Sequence, residues 1–233
     1  MSGILELQGV TKKYGNKVAL DNIDLSLPKG SIIGLLGPNG SGKTTMLKLA
    51  EGLLTPTAGT ITTCGYKPGK ESKALVAYQS DTVFVNDWMT VEQYFKMMQD
   101  FFDNFNMAKA DKMLESLKLE RKQRIKTLSK GNKEKIQLIA TMARDVPLYI
   151  LDEPIGGVDP AARDYILNTI LTNYSEDSSV IISTHLISDV ENVLNYAVFL
   201  NEGKIVRQGD VDEIREETGM SLDGLFRQEF KNL

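Results

Sequence analysis

Cysteine is almost absent from this sequence. Cys64 stands alone, so no intrachain disulfide can form, which fits a reducing compartment. It ends the strand-like run Thr60–Thr63 and reads as a small apolar filler rather than a reactive thiol. Long apolar runs are missing too. Nothing approaches the roughly 18 to 20 apolar residues that span a bilayer, so the chain is not expected to cross a membrane by itself. The opening Met1–Glu6 lacks a basic start and meets a charge at once, unlike a signal peptide. A basic stripe is also lacking. Lys and Arg number 27 against 31 Asp and Glu, for a net charge of −4. The two signs are mixed, as over Lys109–Lys126, which argues against a dedicated nucleic-acid binder. There is no tandem repeat and no low-complexity tract.

What is present is an alternation of strands and helices. Ile4, Leu5, Leu7 and Val10 open one strand, and Val18–Leu27 supplies another. Ile32–Leu36 is a continuous apolar run, as expected of a buried strand. A helix pattern follows, with Met46, Leu47, Leu49, Ala50 and Leu53 on one side. From about Asp81 to Leu128 the character changes. Phe84, Trp88, Tyr94, Phe95, Met97, Met98, Phe101, Phe102 and Phe105 crowd in, followed by helical repeats at Met113, Leu114, Leu117 and Leu119. This predicts a mainly helical lobe inserted into an α/β core. Its aromatics read either as the lobe's own core or as an exposed groove for a partner helix. Helix then resumes over Ser129–Asp145, strand over Leu148–Leu151, helix over Ala161–Leu171 and strand over Val180–Ile182. A hairpin closes across Asn201–Gly203, and short amphipathic helices are expected from Val211 to Leu233.

The strand ending at Leu36 runs directly into Gly37-Pro38-Asn39-Gly40-Ser41-Gly42-Lys43-Thr44, the pattern G-x-x-x-x-G-K-S/T. Such a loop turns backbone N–H groups inward around phosphate oxygens, and the next helix aims its positive end at the same place. Lys43 is expected to reach the β- and γ-phosphates and Thr44 to bind Mg²⁺ through its hydroxyl. The second half of such a site is offered by Leu148–Leu151, an apolar strand ending in Asp152-Glu153. Alone, the acidic pair reads equally as a helix N-cap near Pro154. With the phosphate loop upstream, Asp152 reads as holding Mg²⁺ through water and Glu153 as orienting or deprotonating the attacking water.

These motifs, in this order, resemble the nucleotide-binding domain of ABC transporters, from about Ile4 to Gln208. Tyr14, in Lys12-Lys13-Tyr14-Gly15, looks like the aromatic that stacks on adenine. Gln79 looks like the Q-loop glutamine that senses Mg²⁺ and water and joins core to lobe. Leu128-Ser129-Lys130-Gly131-Asn132 resembles the family signature, Gly156–Pro160 the D-loop, and His185 the switch histidine near the γ-phosphate. His185 is the only histidine and follows the apolar strand Val180–Ile182, at the edge where open α/β sheets bind ligands.

The resemblance implies an α/β fold: a P-loop NTPase core with a mostly parallel sheet, an N-terminal antiparallel β subdomain and an inserted helical subdomain. One ABC ATPase domain would fill residues 1–233, with 1–80 and 129–233 as core and about 81–128 as lobe. It implies an ATPase using ATP and Mg²⁺. The nucleotide contacts would be Tyr14, Gly37, Pro38, Asn39, Gly40, Ser41, Gly42, Lys43, Thr44 and Thr45, with Ser129 and Gly131 serving a partner subunit. Thr44, Gln79 and Asp152 would attend the metal; Lys43, Gln79, Glu153 and His185 would carry the chemistry. It also implies a second nucleotide-binding subunit, an integral membrane permease, no nucleic acid, and a place on the cytoplasmic face of the cell membrane. The signature departs from the usual L-S-G-G-Q: Lys130 replaces a glycine and Asn132 the glutamine. That form resembles the small exporter branch for drugs, peptides or lipid-linked molecules, and the departure raises the expectation of a heterodimer with a more conventional partner. A soluble ABC ATPase of an assembly or translation machine is the alternative.

Overall fold

The computed structural model describes residues 3–83, 85–175 and 177–230, with backbone only for 160–162. Two long strands open the chain, β1 (Leu5–Tyr14) and β2 (Lys17–Leu27). Strand β3 (Ile32–Leu36) leads into α1 (Lys43–Ala50); β4 (Ala58–Thr63), α2 (Lys70–Ala74) and β5 (Val76–Gln79) follow. Helices α3 (Val91–Phe101) and α4 (Met107–Ser116) and a 3-10 turn at Ile125–Thr127 precede α5 (Lys130–Met142). The chain continues as β6 (Leu148–Asp152), α6 (Pro160–Asn173), β7 (Ser179–Thr184), α7 (Ile187–Val190), β8 (Tyr196–Asn201), β9 (Lys204–Asp210), α8 (Val211–Thr218) and α9 (Leu222–Glu229). Among the described residues no helix is long and apolar enough to cross a membrane.

Two sheets result. One is antiparallel, in the order β2-β1-β4; the other runs β5-β6-β7-β3-β8-β9 and is parallel except for β9. The apolar run of β3 is explained by burial on both faces. Ile32 and Leu36 enter one core, and Ile33 and Leu35 the other, as the two-residue side-chain period requires. In β6, Tyr149 and Leu151 face the first core, Leu148 and Ile150 the second. The second core is shared with the antiparallel sheet and α1.

Two expectations need correction, and three short elements are added. Helix α1 stops before Leu53, which is exposed. Gly52 takes φ +73°, and the bonds Leu53 N–H to Lys48 O and Gly52 N–H to Leu49 O close a Schellman motif there. The aromatics between β5 and α5 do not form a core of their own. Tyr94, Phe95 and Phe105 are buried in the same cluster as Tyr149 and Leu151 of the sheet. Trp88 and Phe101 instead stand 68% and 74% exposed. Phe84 lies outside the described residues, as do residues 231–233 of the C-terminal tail. Finally, α2, β5 and α7 add elements too short for a sequence period to reveal.

Helix α3 starts on a reciprocal cap. Thr90 Oγ1 accepts from Gln93 N–H and Gln93 Oε1 accepts from Thr90 N–H. The buried Arg144 ties this helical segment to the sheet. Its guanidinium donates to Val76 O (2.6 Å) and Asn104 Oδ1 (3.0 Å) and lies 3.9 Å from the Phe102 ring centre.

Candidate functional site

Strand register brings the motifs to one edge. Gln79 pairs with Leu151, Asp152 with Ser183, and Leu36 with Thr184. These strands are parallel, so Gln79, Asp152, Ser183 and the loop after Leu36 all leave the sheet at its carboxyl edge. That is where ligands of open α/β sheets sit.

The glycine-rich loop turns into α1 at Gly42, whose φ of +113° no larger residue adopts without strain. A Cβ there would also lie 2.7 Å from Ala19 O. Tyr14, Asn39, Gly40, Gly42, Lys43, Thr44 and Thr45 line one cleft of about 430 Å³ together with Glu153. Lys17, Ala19 and Asp81 complete its lining, and no motif pointed to them. Tyr14 is half exposed at its mouth, with Lys12 Nζ 5.3 Å from its ring centre. Ser41 is buried, and its hydroxyl lacks a protein partner. The Gly37 and Pro38 carbonyls both accept from Lys43 Nζ, at 2.8 and 3.1 Å. Lys43 is thus folded against its own loop, with Glu153 Oε1 3.3 Å away.

Glu153 sits at φ +49°, a left-handed conformation costly for a residue with a Cβ. Ser183 helps to hold it: Glu153 N–H donates to Ser183 Oγ (3.0 Å) and the Ser183 carbonyl (3.1 Å). Ser183 Oγ in turn donates to Asp152 Oδ1 at 2.6 Å, and Thr44 Oγ1 donates to the same oxygen at 3.2 Å. Ser183 therefore links the Asp152 carboxylate to the Glu153 backbone, a role no sequence motif announced. Its place at the end of the apolar strand that precedes His185 was the available clue. His185 Nδ1 approaches Glu153 Oε2 at 3.1 Å. The acidic pair does not cap a helix beside Pro154; the described helix that follows is α6, from Pro160.

Asp152 is fully buried and its Oδ2 has no hydrogen-bond partner; Gln79 Oε1 is likewise buried and unpartnered. Burial raises the Asp152 carboxyl above the usual carboxylate range, Ser183 and Thr44 pull it back, and the charges of Asp81 and Glu153 push it further up. Orphaned buried oxygens are costly. Together with Thr44 Oγ1 they form an all-oxygen donor set suited to a hard cation such as Mg²⁺. Among the described residues no cluster of three or more His, Cys, Asp or Glu could hold a metal on its own.

Ser129 and Gly131 do not line this cleft. Ser129 caps α5, its Oγ accepting from Asn132 N–H at 3.3 Å. A Cβ on Gly131 would meet open space, so the fold of this chain does not demand glycine there. Lys130 is exposed beside them, 3.8 Å from Glu134.

The sequence model described as ABC transporter matches residues 20–156. The Nod factor export ATP-binding protein I of Cupriavidus metallidurans is 30% identical over 246 aligned positions, covering 100% of this chain and 80% of that protein. The ABC transporter ATP-binding protein YtrB of Bacillus subtilis is 30% identical, covering 92% and 74% respectively. The daunorubicin resistance ATP-binding protein DrrA3 of Streptomyces coeruleorubidus is 27% identical, covering 92% and 71%. A solved structure described as the ATP binding subunit of an ABC transporter superposes with a TM-score of 0.85 at 26% identity, over 97% of this chain and 98% of that one. The loop around Lys43, the Asp152–Glu153 edge and these likenesses agree: the chain belongs to the ABC transporter family, as one of its ATP-binding, ATP-hydrolysing subunits.

Proposed function

We propose that this subunit works as one of two ATP-binding halves that power a separate membrane-embedded exporter. The observation that carries the pairing is the isolation of the α5 start. Ser129 caps that helix outside the cleft, and Gly131 beside it faces open space. A hydroxyl and a helix N-terminus suited to a phosphate are thus presented outward, while the cleft has no such group on its open side. A second subunit related by a twofold axis supplies it. A solved cassette with a TM-score of 0.77 is described as a dimer bound to ADP and Pi. At 21% identity that likeness shows the fold, and the pairing of this chain rests on its own geometry.

In this reading the adenine stacks on Tyr14, and the loop Gly37–Gly42 with Thr44 and Thr45 cradles the phosphates. Lys43 leaves the Gly37 and Pro38 carbonyls and Glu153 for the phosphate oxygens. Thr44, Asp152 and Gln79 would hold Mg²⁺, which would supply neutralisation of phosphate charge there. Glu153, released from Lys43, orients or deprotonates the attacking water, with His185 beside it and the partner's signature serine closing the far side. Nucleotide binds the closed pair better than the open one and so drives closure.

Residues 81–128 act as a helical lobe that carries this motion to the permease, with Trp88 and Phe101 as contact points; exposed aromatics of this kind mark contact surfaces. Outward transport is favoured by the functions named for the Nod factor export and daunorubicin resistance relatives. The chain then works on the cytoplasmic face of the membrane.

The experiment is affinity purification of the tagged chain from detergent-solubilised membranes, with mass spectrometry of its companions. A polytopic membrane protein in stoichiometric amount is expected, and a second ATP-binding chain in the same complex supports a heterodimer. Recovery of soluble partners alone overturns the transport reading in favour of an assembly ATPase.

A further inference from the structure

Two segments carry the pair Glu153 and His185: the loop that leaves β6 and the turn that leaves β7. One side chain joins them. Arg163, near the start of α6, donates from Nη1 to Asp189 Oδ2 at 2.7 Å and from Nε to the Val158 carbonyl at 3.2 Å. Val158 lies on the loop that follows Glu153, and Asp189 lies on α7, one turn after His185. The two side chains are only 26% and 28% exposed, so this charge-assisted contact is partly sheltered from water. Neither Arg163 nor Asp189 belongs to a motif read from the sequence.

Beneath this bridge, Ile155 and Val158 of the loop and Ile187 and Val190 of α7 enter one apolar cluster. Apolar packing holds the two segments together but is non-directional. A guanidinium presents its N–H groups in a fixed fork, and this one grips a carbonyl on one segment and a carboxylate on the other. It therefore sets how the loop lies against α7. The far end of α7 is fixed independently. Glu191 O accepts from Arg215 Nη2 at 3.0 Å, and Glu191 Oε2 accepts from Asp223 N–H at 3.1 Å. Glu153, at φ +49°, needs such external restraint, because a left-handed residue with a Cβ persists only where its surroundings over-determine it.

We propose that Arg163 is a positioning residue, which clamps the loop after Glu153 to α7 and so holds the His185 ring 3.1 Å from the Glu153 carboxylate. It acts through the backbone on either side of the pair and does not itself line the nucleotide cleft. The inference rests on the catalytic roles assigned to Glu153 and His185 and deepens them.

His185 is the only histidine, so its ring nitrogens give self-assigned NMR signals in the isotope-labelled full chain made without a histidine tag. The test compares those signals, at one pH, among variants. Glu153→Gln should shift them, because the ring contacts the carboxylate. Arg163→Ala and Asp189→Ala should each move them most of the way to their Glu153→Gln positions. Asp189→Asn, which keeps an oxygen for Arg163, should stay near wild type. ATPase of the assembly recovered with the tagged chain supplies the second readout. In Arg163→Ala kcat should fall about tenfold with KM for ATP changed by less than about twofold, since a positioning error costs rate rather than ground-state binding. Added to His185→Ala, the same substitution should cost nothing further. Wild-type ring signals in Arg163→Ala, or a comparable second loss of kcat in the His185→Ala background, overturn the proposal. So do ring signals indifferent to Glu153→Gln. An ATPase rate that survives Glu153→Gln overturns the catalytic reading of the pair, and the ring signals then decide the clamp on their own.

Discussion

His185 Nδ1 lies 3.1 Å from Glu153 Oε2, while Lys43 Nζ lies 3.3 Å from the other oxygen of the same carboxylate. Glu153 is thus held between two cationic or hydrogen-bonding groups at a strained backbone position. In the proposed function its carboxylate turns to catalysis once phosphate draws Lys43 off. Removing the charge while keeping the shape should separate binding from turnover. Glu153→Gln is expected to bind ATP about as well as wild type and to lose roughly 10²- to 10⁴-fold in turnover, the range of a positioned general base. It should also accumulate as an ATP-bound dimer. Light scattering with ATP and Mg²⁺ that finds only monomer counts against both the pairing and the role.

Lys43→Ala has a different signature. The variant loses the cation assigned above to the phosphates and also frees Glu153 from its ion pair. High-affinity ATP binding should disappear in calorimetry, while the fold survives, because the Gly37 and Pro38 carbonyls can be satisfied by water. Unchanged binding contradicts the placement of the phosphates at this loop.

Ser183 offers a test of positioning rather than chemistry. Its hydroxyl donates to Asp152 Oδ1 and accepts from Glu153 N–H. Ser183→Ala leaves a buried carboxylate oxygen and a strained N–H with one partner fewer, a loss of about 1–3 kcal/mol. The urea midpoint should fall, and the Mg²⁺ concentration for half-maximal ATPase should rise severalfold because Asp152 is less well oriented. Ser183→Thr, which keeps the hydroxyl, should recover the Mg²⁺ dependence. A midpoint that falls while the Mg²⁺ dependence stays put makes Ser183 a packing residue only.

The contrast between these residues shows what the sequence made legible. The phosphate loop, the Asp152–Glu153 strand end and the strand before His185 are local patterns, each written within ten residues and tied to an apolar strand. The structure brings their residues to one sheet edge. Ser183 matters through neighbours far off in sequence, and a lone serine carries no local signature. The aromatic-rich segment before α5 shows a second limit. Composition left open whether its aromatics form a core or a contact surface, and which face of α3 packed inward separated buried Tyr94 and Phe95 from exposed Phe101. Leu53 fitted the helical period of α1, and only Gly52 in the left-handed region takes it out of the helix.

Glu51 carries a pH-dependent stability that no motif signals. It follows the last turn of α1, where the helix dipole already disfavours a negative charge. One of its oxygens is buried without a partner. Burial pushes its carboxyl up to about 7 from 4.5, against the opposing pull of Lys73 and Arg144. The folded-state value is raised, so the protonated form suits the native state better. That contribution is fully present below about pH 4.5 and is lost as the pH climbs through about 7. At roughly 1.4 kcal/mol per pH unit the loss amounts to at most about 3.5 kcal/mol. Asp152, also raised, adds a change of the same sign, so the informative quantity is the difference between variant and wild type. Glu51→Gln should match wild type near pH 5 and exceed it near pH 8, flattening the dependence of the urea midpoint between the two. Equal slopes for the two proteins would place the Glu51 carboxylate in contact with water or with Lys73 and Arg144 strongly enough to remain charged throughout, and the buried, protonated state assigned to it would fall.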